Sequence, residues 1–118
     1  MSKPILTQVI ERARGLVADR GTWTSHALAR RANSEACQPT DSRAVRFCAF
    51  GALVRAAYDL TNSGEQAQRL ADLAAAELVG SKAPERAYMD LYCINDGGSR
   101  SSARKAVLGL FDRMLERA

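Results

Sequence analysis

The sequence predicts an all-α, compact single domain over residues 1–118, with four to six helices around one buried central helix. Apolar residues recur at helical spacing in several segments. Alanine is abundant and proline is scarce, which favours helices over strands. Residues 41–60 are apolar on nearly all sides, so other helices or lipid must surround them, and their charged residues exclude lipid. The central helix is predicted to run from Arg43 to Leu60.

One face of this central helix carries the spacing of a buried stripe. Asp41 is predicted to be its N-cap. Gly51 lies among alanines, which predicts that neighbouring helices approach closely along one seam. The stripe consists of Val45, Cys48, Ala49, Ala52, Leu53, Ala56 and Leu60.

The N-terminal third contains one clear helix and one irregular segment. The first helix is predicted to open at Ser2 and Pro4 and to stop at Gly21, a residue suited to a left-handed C-cap. Trp23 is predicted to cover one end of the core. Residues 24–32 are predicted to form a short helix with His26 at its boundary, and residues 33–40 a loop.

Three further helices are predicted after the central helix. Ser63 and Gln66 form a capping-box pattern, and Gly80 closes that helix. Pro84 starts the next helix, which runs into a predicted turn at residues 95–98, Asn-Asp-Gly-Gly. One of the serines at 99, 101 and 102 is predicted to cap the last helix.

The net charge of +4 is unevenly distributed. Residues 1–46 carry a net +4, residues 47–98 a net −3 and residues 99–118 a net +3. The basic end segments can bind nucleic acid. Alternatively, they can pair with the acidic middle segment inside one fold or across a dimer. We find no signal peptide or membrane span, and the three cysteines are an odd number, so we expect a cytoplasmic, reduced protein without membrane contact.

The sequence contains the residue types of a catalytic thiol site: Cys48, His26 and either Asn95 or Asp96. Reactive thiols usually lie at helix N-termini, whereas Cys48 lies seven residues beyond the predicted cap at Asp41. We therefore interpret Cys48 as a buried structural cysteine and predict no catalytic residue.

No metal or cofactor is predicted. His26 and the three cysteines have the chemistry of zinc ligands, but their spacing lacks the short pairs that assemble a structural site. Asp96 is not followed by the alternating oxygen ligands of a calcium loop.

Residues 95–102 are the best candidate for an exposed site, because glycine and serine residues here lead into a helix beside arginine. The alternative is a simple helix cap. The ligand-binding candidates are Asn95, Asp96, Ser99, Arg100, His26 and Cys48.

Nucleic acid is a second candidate ligand. Arg12, Arg14, Arg30 and Arg31 are the candidates for phosphate contacts. The basic residues of the last helix do not share one face, and residues 24–32 are short for a recognition helix.

The segments 46–57 (RFCAFGALVRAA) and 94–115 (INDGGSRSSARKAVLGLFDRML), with Trp23 ahead of them, resemble an uncharacterised bacterial and phage family. Its members share a [WF]-C-x-x-G-A-[LI] helix and a downstream Asn-Asp turn before a final helix. The resemblance implies no activity. It implies that the fold or its one site is defined by Phe47, Cys48, Gly51, Ala52, Asn95 and Asp96.

The leading functional hypothesis is a small non-enzymatic binding protein that acts through a protein partner or by self-association. The first alternative is a nucleic-acid-associated regulator. The second is a small enzyme or ligand binder that uses a pocket near Cys48, His26 and Asp96.

Overall fold

The structure is a computed structural model and describes residues 3–117. Within these residues, five helices and one small sheet surround a continuous hydrophobic core. The elements are α1 (Ile5–Val17), β1 (Ala29–Arg31), β2 (Ala36–Cys37), β3 (Ala44–Phe47), α2 (Ala49–Thr61), α3 (Gly64–Val79), α4 (Pro84–Asp96) and α5 (Arg100–Arg117). The fold is mostly helical, as predicted, but the all-α prediction is wrong because of the sheet.

The sheet has the strand order β2-β1-β3, and both pairs are antiparallel. Ala29 on β1 pairs with Cys37 on one side and with Phe47 on the other. The segment before β1 also lies beside β3, since the amide of Phe47 donates to the carbonyl of Thr22 and its carbonyl accepts from the amide of Thr24. The predicted short helix over residues 24–32 and the predicted loop over residues 33–40 are therefore wrong: these residues contain β1 and β2.

The central helix is shorter than predicted. It begins at Ala49, not at Arg43, because the backbone from Ala44 to Phe47 pairs with β1. In a strand, neighbouring side chains alternate between faces. Val45 is accordingly 43% exposed, and the predicted buried stripe does not include it. Leu60, at the other end of that stripe, is 39% exposed.

Helix α2 is the centre of the core, as the sequence predicted. It packs against α1, α3 and α4, and eight of its thirteen residues are buried. Gly51 allows a close approach, but the neighbour is a loop backbone and not a helix. A Cβ atom at Gly51 would lie 1.9 Å from the carbonyl oxygen of Leu28. The loop before β1 therefore lies directly on the first turn of α2.

The predicted ends of the other helices are partly correct. Ser63 caps α3 by accepting a hydrogen bond from the amide of Gln66, and Gly80 ends it in the left-handed conformation. Pro84 occupies the first turn of α4. Helix α1 ends at Val17, before Gly21. Ser2 lies outside the described residues.

The predicted turn at residues 95–98 begins two residues later. Asn95 and Asp96 form the last turn of α4, and the chain leaves the helix at Gly97. Ser99 then caps α5, because its hydroxyl oxygen accepts from the amide of Ser102. No helix of residues 3–117 is long and apolar enough to cross a membrane.

Candidate functional site

Asn95 joins three separate parts of the fold. Its Oδ1 accepts hydrogen bonds from the indole Nε1 of Trp23 and from the amide of Ala49, each 2.9 Å long. Its Nδ2 donates to the carbonyl of Thr24 and to Oδ1 of Asp96. Asn95 is 1% exposed, and both of its polar atoms are fully used. The side chain that we predicted to bind a ligand therefore stabilises the fold.

Asp96 and His26 face each other across the end of α4. Oδ1 of Asp96 accepts from the backbone amide of His26 at 2.9 Å, which holds His26 in a left-handed conformation with φ of 62°. Oδ2 of Asp96 lies 3.9 Å from Nδ1 of His26, which is too long for a hydrogen bond. Oδ2 is therefore available to accept a hydrogen bond from a ligand.

Cys48 lies at the N-terminus of α2, and our prediction that it lies within the helix is wrong. Its backbone is extended, and its Sγ accepts from the amide of Gly51 at 3.2 Å. Burial raises the pKa of the Cys48 thiol from 9.0 to about 11, and the hydrogen bonds from nearby backbone amides offset only part of that rise. Since thiolates are the nucleophiles of thiol chemistry, the raised pKa disfavours the reactive form of Cys48 at neutral pH.

A pocket of about 410 Å³ opens above Cys48. We call it the thiol pocket; its lining residues are His26, Ala27, Leu28, Cys48, Tyr92 and Asp96. Tyr92 packs edge-on against Phe50, with the ring centroids 6.1 Å apart. Burial raises the pKa of Tyr92, so its hydroxyl stays protonated at neutral pH. The thiol pocket thus combines an apolar floor with a carboxylate and a phenol.

A second pocket, of about 420 Å³, lies on the other side of His26. We call it the arginine pocket, and its charged residues are Arg20, Arg30, Arg46 and Arg100. Thr24, Ser25, His26 and Ser34 complete its lining. All eight side chains can donate hydrogen bonds, since His26 has a ring N–H donor even when it is neutral. In the described part of the chain no carboxylate lines this pocket.

The arginine pocket continues into a third pocket at the start of α5. This pocket, of about 590 Å³, shares Arg20 and Arg100 with it and adds Arg104. We call the five residues Arg20, Arg30, Arg46, Arg100 and Arg104 the arginine face. None of them forms an ion pair with a carboxylate of residues 3–117. The arginine face is therefore a surface of unneutralised positive charge.

Neutral groups hold several of these arginines in place. Arg30 donates to the hydroxyl of Thr24 and to the carbonyls of Ser25 and Ser34. Arg46 donates to the hydroxyl of Ser34 at 3.0 Å. The neutral partners fix the guanidinium groups without cancelling their charge.

Trp23 and the end of α1 orient the two arginines of α5, Arg100 and Arg104. Arg100 lies over the indole of Trp23, 5.0 Å from the ring centroid, in a cation–π contact. Arg104 donates to the carbonyl of Ala18 at 2.6 Å. Trp23 is 1% exposed, so it supports Arg100 from below and does not itself reach solvent.

Metal binding has no obvious site in the described part of the chain. No group of three or more histidine, cysteine, aspartate or glutamate side chains lies close enough there to hold an ion.

One protein family covers nearly the whole sequence. Residues 1–117 match the group described as "Family of unknown function (DUF6197)". The chain belongs to DUF6197. No curated protein and no solved structure shows significant similarity to it. Because the function of DUF6197 is unknown, membership assigns no role to any residue.

Three of the four predicted nucleic-acid contacts in this DUF6197 chain are paired with acidic residues. Arg12 pairs with Asp59, and Arg14 pairs with Asp112. Arg31 contacts both Asp41 and Glu35. Only Arg30 belongs to the arginine face.

The predicted ligand-binding residues divide into three groups. His26, Cys48 and Asp96 meet at the thiol pocket. Arg100 belongs to the arginine face. Asn95 forms hydrogen bonds inside the fold, and Ser99 caps α5.

Sequence reasoning missed Arg20, Arg46 and Arg104 as members of one surface. They lie on a loop, a strand and a helix, and only the pairing of β3 with β1 brings Arg46 beside Arg30. Tyr92, which lines the thiol pocket, was not among the candidate site residues predicted from the sequence.

Proposed function

We propose that this protein is a small non-enzymatic binding protein that binds nucleic acid, with its arginine face in contact with the phosphate groups of the nucleic acid. The observation that carries the proposal is the convergence of five arginines from four segments without a carboxylate partner among residues 3–117. Gathering like charges is unfavourable unless an anion joins them. A polyanion supplies that partner.

The chemistry of the arginine face favours phosphate as the anion. A guanidinium group presents a planar set of donors that matches phosphate in a bidentate arrangement. Arg30 and Arg46 are already fixed by neutral acceptors, so less side-chain entropy is lost on binding. The net charge of +4 and the isoelectric point near 9.3 also favour association with a polyanion.

The state of Cys48 supports a binding role over a thiol-based enzyme. Cys48 is 2% exposed, and the pKa of its thiol is raised to about 11. A nucleophilic cysteine requires the opposite environment, with a lowered pKa and access for substrate.

The proposal is tested by fluorescence anisotropy with labelled oligonucleotides at low salt. The double variant Arg20→Gln/Arg46→Gln removes two charges from the arginine face, and we expect it to weaken binding at least tenfold. The control Lys105→Gln/Arg113→Gln removes the same charge from α5, outside the arginine face, and should bind within about twofold of the parent protein.

Two results would contradict the proposal. The first is no binding of any oligonucleotide at low salt, and the second is equal weakening by both double variants. In the first case, binding of an acidic protein to the same face would instead support the protein partner that the sequence favoured.

The biological setting of the protein also remains a prediction. We propose a cytoplasmic protein of a bacterium or phage, in which the [WF]-C-x-x-G-A-[LI] motif marks the family. Here that motif spans the junction between β3 and α2 and contributes Cys48 to the thiol pocket.

A further inference from the structure

His26 separates two pockets of nearly equal size. It lines the thiol pocket on one side and the arginine pocket on the other. The bond from its backbone amide to Asp96 holds it at this junction. Each pocket has a volume within the range of small-molecule sites, which is about 300–1,000 Å³. A ligand with two chemically different halves could therefore occupy both pockets at once.

The arginine pocket suits a phosphate group. Besides its four arginines, it contains hydroxyl groups that already accept from arginine: Arg30 donates to Oγ1 of Thr24, and Arg46 donates to Oγ of Ser34. A hydroxyl that accepts in this way keeps its own hydrogen for a second acceptor. Phosphate oxygens would accept from both the hydroxyls and the unused guanidinium N–H groups.

The thiol pocket suits a flat, partly polar ring. Ala27 and Leu28 provide apolar contact, and Tyr92 provides a ring and a hydroxyl. Oδ2 of Asp96 is a negatively charged acceptor at the same pocket, and the Asp96 side chain is 30% exposed. A carboxylate in this position favours a ring that carries an amino group, such as cytosine, over one that carries a carbonyl there.

We propose that the two pockets together bind one unpaired nucleotide, with its phosphate in the arginine pocket and its base in the thiol pocket. This inference rests on the proposed function and makes it specific. A base must leave its stack and its pairing partner to enter such a pocket, so single strands are preferred over duplexes. Asp96 makes the site selective for a base with an exocyclic amino group.

The nucleotide unit can be tested by calorimetry with 5′-CMP, 5′-UMP, cytidine and inorganic phosphate. We expect 5′-CMP to bind about tenfold more tightly than 5′-UMP, because cytosine carries an exocyclic amino group that donates to Asp96, whereas uracil carries a carbonyl at that position. Cytidine and phosphate each lack one half of the ligand and should bind more weakly than 5′-CMP. Equal binding of 5′-CMP and 5′-UMP, or of 5′-CMP and phosphate, would overturn the inference.

Two variants separate the two halves of the site. Asp96→Asn keeps an oxygen for the amide of His26, so the loop stays anchored, and it should remove the preference for 5′-CMP over 5′-UMP. Arg46→Gln should weaken both nucleotides alike and leave their ratio unchanged. Thermal unfolding of each variant checks that the fold is intact. A variant Asp96→Asn that is folded and still selective would overturn the assignment of the base to the thiol pocket.

Oligonucleotides distinguish this inference from the proposed function. Single strands of about ten nucleotides should bind more tightly than the matching duplex, and oligo(dC) more tightly than oligo(dT). Equal binding of duplex and both single strands would overturn the nucleotide site and leave the proposed function standing. Binding of 5′-CMP without binding of any oligonucleotide would overturn the proposed function, and with it the claim that the nucleotide belongs to a strand.

Discussion

The indole Nε1 of Trp23 donates a 2.9 Å hydrogen bond to Oδ1 of Asn95, a residue 72 positions later in the chain. The same oxygen accepts from the first amide of α2. One buried amide side chain therefore joins the loop before β1, the start of α2 and the end of α4. This bond places the loop that separates the two pockets.

Replacement of Asn95 should strongly destabilise the protein. Asn95→Leu leaves the Trp23 indole and the Ala49 amide without their acceptor in a buried region. We expect the free energy of unfolding to fall by about 2–4 kcal/mol, measured by urea denaturation. Asn33→Ala is the control: its exposed side chain accepts one bond from Glu35, and the loss should stay below about 1 kcal/mol. Similar losses for both variants would contradict the central role of Asn95.

Gly51 and Gly15 should respond in opposite ways to alanine. A Cβ atom at Gly51 would clash with the backbone of Leu28, whereas a Cβ atom at Gly15 in α1 meets nothing within 4 Å. Gly51→Ala should lower the melting temperature markedly or prevent folding. Gly15→Ala should stabilise the helix by about 0.5–1 kcal/mol. A neutral Gly51→Ala would show that the loop does not lie on α2.

The cysteines should differ sharply in their reactivity. Cys93 is exposed, whereas Cys48 is buried and its thiolate is disfavoured. With a maleimide at neutral pH, we expect rapid modification of Cys93 and protection of Cys48 until the protein unfolds. Peptide mass spectrometry identifies the modified residue. Rapid labelling of Cys48 in the native protein would contradict this prediction and support the hypothesis of a thiol enzyme.

Burial of Cys48 should also make the protein less stable in alkali. The pKa of Cys48 is about 11 in the folded state, against 9.0 without burial. Stability from the neutral thiol is therefore fully present below pH 9 and is lost as the pH rises from 9 towards 11. The loss attributable to Cys48 should approach about 2–3 kcal/mol.

The comparison with Cys48→Ser isolates this effect from other groups that titrate in the same range. Serine keeps an oxygen acceptor at the N-cap but does not ionise. Between pH 8 and pH 11, the unfolding free energy of the parent should therefore fall relative to that of the variant. A constant difference across that range would contradict the raised pKa.

The helical part of the fold was predictable because its signals are local. The capping serine at Ser63, the terminal Gly80 and the initial Pro84 each act within one turn of their helix. The sheet was not predictable in the same way. Residues 44–47 continue the apolar spacing of α2, and only pairing with β1 makes them a strand. Long-range pairing overrode a local helical pattern.

The candidate site was likewise predictable only in part from the sequence. His26, Cys48 and Asp96 were singled out as chemically distinctive residues, and they line one pocket. The arginine face was missed because its members lie far apart in sequence and only the sheet brings Arg30 and Arg46 together. Arg12 and Arg14 looked equally suitable in sequence, but their acidic partners at Asp59 and Asp112 are visible only in the fold.

The salt dependence of oligonucleotide binding tests the central claim most directly, because it counts the phosphates that the protein neutralises. For a single strand, each lost contact reduces the slope of log K against log salt by about 0.7. Arg20→Gln/Arg46→Gln should therefore reduce the magnitude of the slope by about 1.4, while Lys105→Gln/Arg113→Gln leaves it unchanged. An unchanged slope in the arginine-face variant, or the same reduction in both variants, would contradict binding through the arginine face.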